Sequence, residues 1–95
     1  IMTIAVQDAL DLDVRWILHP QVALRPESFG ALLYHFGTRK LSFLKNRTIV
    51  AIIESLPDHR DMRSAIAAAG ISDSASAPYV RALETLADSN MITRP

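Results

Sequence analysis

Between Phe29 and Leu56 the spacing of apolar positions changes from alternation to a helical period, which predicts a hairpin feeding directly into a helix. Leu32, Tyr34 and Phe36 fall on one face of an extended segment and Ala31, Leu33 and His35 on the other. Gly37 and Thr38 then allow a reversal, and Leu41 and Phe43 resume the alternation. After Lys45, Ile49, Ile52, Ile53 and Leu56 recur at i, i+3, i+4 and i+7. Asn46 stands where its side chain can accept from first-turn amides, and Pro57 stops the run. Upstream, Leu12, Val14, Trp16 and Leu18 alternate with Asp11, Asp13 and Arg15 as far as Pro20, predicting another extended piece, and Val22 and Leu24 predict a short strand closed by Pro26. Downstream, a second helix is predicted over 60–69, with Met62, Ala65, Ile66 and Ala69 on one stripe and Gly70 free to take a left-handed cap. A third is predicted over 76–89, where Pro78 is tolerated in the first turn. Its stripe of Val80, Leu83 and Ala87 adjoins a second one of Tyr79, Ala82 and Leu86, so its apolar face is broader than one contact needs.

The predicted fold is therefore α+β: an N-terminal three-stranded antiparallel sheet (strands from Val22, Gly30–Phe36 and Lys40–Leu44) followed by three helices, a winged helix-turn-helix-like order with the sheet first. Residues 14–95 form one domain. Residues 1–13 carry Ile4, Val6 and Leu10 without a settled period, and a loose arm, an extra strand and a homodimer contact all remain open readings for them. A hairpin that runs into a helix leaves one strand with an unpaired edge unless its other side is covered, and such an edge is a natural docking place for an extended peptide.

Composition narrows the function classes. A chain of 95 residues buries about 60–65% of its unfolded surface, too little for a large enclosed catalytic cavity. Ten basic residues balance ten acidic ones, which argues against a protein built to hold phosphate backbones, so no nucleic-acid partner is expected. The absence of cysteine removes disulfides, thiolate metal sites and cysteine nucleophiles together. No apolar run approaches the roughly 18 residues of a membrane span and no signal-peptide pattern opens the chain, so the expectation is a cytoplasmic protein with no membrane partner. His19, His35 and His59 are far apart with no ligand at i+3 or i+4, and are read as unrelated, half-exposed side chains. Asp8, Asp11 and Asp13 lack the glycine turn and closing glutamate of a calcium loop and are read as a solvated acidic arm. No nucleophile and base, phosphate-cradling loop or paired carboxylates can be assembled, so neither an enzyme, a metal nor a cofactor is predicted.

Three segments carry a resemblance: His19–Glu27 (HPQVALRPE), Phe29–Leu44 (FGALLYHFGTRKLSFL) and Asn46–Val50 (NRTIV). They resemble the peptide chaperones of mycofactocin biosynthesis, within the larger group that includes the pyrroloquinoline-quinone peptide chaperone and the recognition elements of ribosomally made, modified peptides. The resemblance implies a non-catalytic domain that binds an acidic precursor peptide and presents it to a radical S-adenosylmethionine enzyme, the peptide adding as a strand beside the third strand and lying against the third helix. Carried onto this chain, the peptide site is Arg39, Lys40, Leu41, Ser42, Phe43, Leu44 and Lys45 on the strand, with Tyr79, Ala82, Leu83 and Leu86 on the helix. One departure stands out. The wider group runs a Leu-Asn pair directly into its first helix, whereas here Lys45 separates Leu44 from Asn46.

No acidic residue occurs between Glu27 and Glu54, so Arg39, Lys40, Lys45 and Arg47 make one end of the sheet positive. Such charge protects a strand edge from aggregation and would also steer an acidic peptide. The alternative function is a winged-helix DNA-binding regulator. A recognition helix needs an excess of basic or amide side chains, whereas the third helix sets Arg81 against Glu84 and Asp88, and the second sets Arg60 and Arg63 against Asp61.

Overall fold

The computed structural model describes residues 10–95. Strands β1 (Ile17–Leu18), β2 (Val22–Glu27), β3 (Gly30–His35) and β4 (Leu41–Leu44) lead into helices α1 (Arg47–Ser55), α2 (Met62–Ala68) and α3 (Ala77–Asp88), and strand β5 (Ile92–Thr93) closes the chain. The sheet order β2-β3-β4 is antiparallel throughout, with Val22 opposite His35, Leu33 opposite Ser42 and Ala31 opposite Leu44. The α+β fold read from the sequence, a three-stranded sheet followed by three helices, is the one observed. The register also settles the strand end: Leu44 is the last residue of β4, Lys45 is a one-residue link, and Asn46 begins the helix.

Local chemistry sets the boundaries. The Asn46 side chain accepts from the Thr48 and Ile49 amides at 2.8 and 3.1 Å, which satisfies two of the orphan donors of α1. Leu56–Asp58 then tighten into a 3₁₀ turn that contains Pro57. At α2, Asp61 accepts from the Ser64 amide at 2.7 Å, and Gly70, at φ +85°, follows its last turn. Helix α3 starts with Pro78 in its first turn and ends in a Schellman motif. Asn90, left-handed at φ +61°, donates to the Ala87 carbonyl and the Met91 amide donates to Leu86 at 2.8 Å. That turn drives Met91 and Ile92 into the core, where β5 pairs with β1.

Alternate residues of the sheet face the helices. Val22, Ala31, Leu33 and Leu44 pack with Ile49, Ile52 and Ile53 of α1, Met62, Ala65 and Ile66 of α2, and Leu83 and Leu86 of α3. Gly30 is required where β3 begins, since at φ +148° a Cβ would collide with the Leu44 carbonyl oxygen across the ladder.

Several sequence expectations are corrected. Pro26 does not close β2, which continues to Glu27, because β2 is an edge strand where a missing amide is tolerated. The alternation is real in burial from Leu12 to Trp16, yet only Ile17 and Leu18 form a ladder. The Leu12 and Val14 carbonyls instead accept from the Arg63 and Met62 amides, at 2.9 and 3.1 Å, so this segment satisfies the N-terminus of α2 rather than a strand. Asp13 pairs with Arg63 at 3.0 Å, and the Leu10 amide donates to Glu84, so residues 10–13 lie against the helices; the open readings for residues 1–9 fall outside the described residues. The histidines are not unrelated. His35 is only 3% exposed, its ring centroid lies 4.5 Å from that of His19, and its Nδ1 accepts from the Gly37 and Thr38 amides.

Candidate functional site: the free edge of β4 and the face of α3

The hairpin loop between β3 and β4 is residues 36–40. The His35 amide donates to the Lys40 carbonyl at 3.0 Å, and the Arg39 amide donates back to the His35 carbonyl at 2.7 Å. Arg39 takes the left-handed conformation at φ +66°, and the two amides held by His35 Nδ1 keep the loop closed. Because antiparallel pairs alternate between bonded and non-bonded, the bonded pair 35–40 makes 33–42 and 31–44 the next bonded pairs. The amides and carbonyls of Leu41 and Phe43 therefore point away from β3. Among the described residues β4 is paired on one side only, so these groups form its free edge.

Beside this edge runs an open groove of about 310 Å³, lined by Ser42, Phe43 and Leu44 on the strand and by Ala82, Thr85 and Leu86 on α3. Five of the residues assigned to the site from sequence thus come together here: Ser42, Phe43, Leu44, Ala82 and Leu86. Thr85 is an additional lining residue. It is polar and so escapes a search for apolar positions, but its i+3 spacing from Ala82 is the signal that finds it. The others sit elsewhere. Leu83 is wholly buried in the core behind the helix wall, and Tyr79 is half-buried against that core, outside the lining. Leu41 adds backbone groups to the edge while its side chain is exposed on the opposite face of the sheet.

The charges frame the edge. Arg39 and Lys40 stand exposed at the loop end of β4 and Lys45 at its helix end, while Arg47 donates to the Ser28 carbonyl at 2.9 Å. The other edge strand, β2, carries Pro26, which removes a donor from its free side. Among the described residues the walls of the β4 groove are Ser42, Phe43, Leu44, Ala82, Thr85 and Leu86, which offer shape, apolar surface and backbone hydrogen bonds.

Comparison with known proteins identifies the family. Residues 15–93 match the family described as the peptide chaperone MftB family. The chain is 63% identical over 89 residues to the peptide chaperone MftB of Mycolicibacterium smegmatis, covering 94% of this chain and 87% of that protein. It is 67% identical over 84 residues to the peptide chaperone MftB of Mycobacterium ulcerans, covering 88% and 77%, and 63% identical over 82 residues to that of Mycobacterium tuberculosis, covering 86% and 75%. No solved structure matches the chain. With the match spanning the sheet, the groove and all three helices, the chain belongs to the peptide chaperone MftB family.

Proposed function

We propose that this chain binds the precursor peptide of mycofactocin biosynthesis as an added strand on β4 and presents it to a radical S-adenosylmethionine enzyme. The observation that carries the reading is the unpaired edge of Leu41 and Phe43 running beside a groove walled by Ala82, Thr85 and Leu86. Energetics distribute the work between the two. The donors and acceptors of Leu41 and Phe43 give up to about four new hydrogen bonds, roughly 0.5–1.5 kcal/mol each, against an association cost of at least about 4 kcal/mol. Backbone pairing therefore supplies geometry, and two or three apolar guest side chains in the groove, at roughly 1.5–3 kcal/mol each, supply most of the affinity. An antiparallel or parallel guest places alternate side chains in the groove, so its binding segment carries apolar residues at i and i+2. Arg39, Lys40 and Lys45 at the two ends of the edge match acidic residues flanking that segment.

Titration with the acidic leader peptide and, in parallel, with duplex DNA tests the reading. Expected is saturable peptide binding with slowed hydrogen exchange at Leu41 and Phe43, and DNA binding that is weak and vanishes with salt. Slowing confined to α2 or to the N-terminal segment would remove the edge-addition model, and DNA binding that survives physiological salt would favour the regulator.

A further inference from the structure

The outward face of the β2-β3-β4 sheet is unlike any other surface of the described molecule. All of its exposed large hydrophobic residues lie there: Phe29, Phe36, Leu41 and Phe43, at 40, 60, 52 and 59% exposure. They are contiguous. The Phe29 and Phe43 rings lie 6.1 Å apart, Phe36 meets Tyr34 edge to face at 5.0 Å, and the register puts Leu41 opposite Tyr34 and Phe43 opposite Leu32. At roughly 150–250 Å² per aromatic side chain, half exposed, the four residues offer on the order of 400 Å² of apolar surface. That is as large as the patches that mark functional surfaces on monomers, and about half of one partner's share of a standard interface.

We infer that this face docks the enzyme that receives the peptide, through an apolar surface on that enzyme rimmed by carboxylates. The inference rests on the chaperone reading above. The rim supplies the first argument: Arg25, Arg39, Lys40 and Lys45 are exposed around the patch, and the carboxylate of Glu27 beside it is held by Arg25 at 2.6 Å. An acidic surround complements that rim, whereas a second copy of the chain, face to face, would set cations against cations. The second argument is shape. The rings lie against one another along the sheet instead of projecting singly, which suits a packed protein interface better than insertion among lipid chains. The third is continuity. Phe43 belongs both to this patch and to the groove, so a guest strand on β4 widens the sheet and sets its outward side chains beside Phe43 and Leu41. A partner seated here reads the loaded chaperone as a larger surface than the empty one.

The test uses the full chain, the purified radical S-adenosylmethionine enzyme and the leader peptide. The Phe29→Ser, Phe36→Ser double variant alters exposed side chains outside the groove, and Arg25→Glu reverses rim charge without touching the core. Expected for the double variant is about tenfold or greater loss of enzyme affinity, with leader affinity unchanged within about twofold. Arg25→Glu should slow association with the enzyme most at low salt, and bound leader should tighten wild-type binding to the enzyme. Enzyme affinity equal to wild type in both variants would overturn the inference. So would wild-type self-association, or binding to phosphatidylserine vesicles, that the double variant abolishes, because either result assigns the face to another occupant. Failure of the wild-type chain to bind the leader is read in a separate titration and removes the chaperone reading instead.

Discussion

Asn46 shows how one side chain fixes where a site sits. By accepting from both Thr48 and Ile49 it starts α1 one residue after the Lys45 link, and thereby sets where β4 must stop. Asn46→Ala should cost about 1 kcal/mol in denaturant unfolding, with the slope unchanged, because the loss is a cap and not a cavity. Leu86 behaves differently from its neighbour Thr85 although both line the groove. At 4% exposure Leu86 belongs to the core, so Leu86→Ala should cost about 2–5 kcal/mol of stability before any effect on a guest is read. Thr85 is exposed, with its hydroxyl on the Arg81 carbonyl. Thr85→Trp should therefore fill the groove, weaken leader binding more than tenfold by calorimetry and leave the melting temperature within a few degrees. At this scale the sequence was legible where the signal is local: Asn46, Gly70 and Pro78 act through their own backbone neighbours. His35 was not legible, because its burial and its contact with His19 depend on a partner sixteen residues away that no spacing rule connects.

Among the elements, the β3-β4 hairpin and the three helices follow from periodicity because each has one face in the core and one outside. The elements that escaped are those whose partners are distant. The two-residue ladder of β1 and β5 is too short to leave a period, and the residues from Leu12 to Val14 alternate like a strand while their carbonyls satisfy a helix. The site divides in the same way. The edge and the broad α3 stripe were readable, but the inward turn of Leu83 and the outward turn of Leu41 depend on how α3 sits against the sheet. Helix α2 also carries a pH dependence. Ser64, through its side chain and then its backbone amide, holds the Asp61 carboxyl below the usual carboxylate range. A carboxylate with a lowered folded-state pKa contributes stability that is present above its unfolded value and lost as pH falls through the lowered one. Acid should thus fray α2, and Asp61→Asn should reduce the acid dependence of stability, as followed by circular dichroism across pH.

For the molecule as a whole, net neutrality conceals a division of charge. The segment from Ser28 to Ile53 holds four basic residues and no acidic one, and the structure gathers Arg39, Lys40 and Lys45 around a single strand. Exposed charges act over about a Debye length, roughly 8–10 Å, before contact, whereas apolar groups gain only after water has left. Reversing Arg39 and Lys40 to Glu should therefore slow association with an acidic leader and flatten its salt dependence, with a smaller change in dissociation. Stopped-flow measurement across salt concentrations checks this, and an unchanged association rate would mean that the charges serve only to keep the edge soluble.

The clasp between β1 and β5 bears on how the domain yields to force. Ile17 lies opposite Thr93 and Leu18 opposite Ile92, so a pull from the C-terminal side begins at the outer end of an antiparallel ladder. Tension applied on that side loads these bonds one after another, as in unzipping, rather than all at once in shear. Once they part, Met91 and Ile92 are drawn from the core beneath α3, and the wall of the groove loses its support. An unfoldase pulling from the C-terminal side would meet little mechanical resistance, and the grip on a bound strand would be among the first things lost.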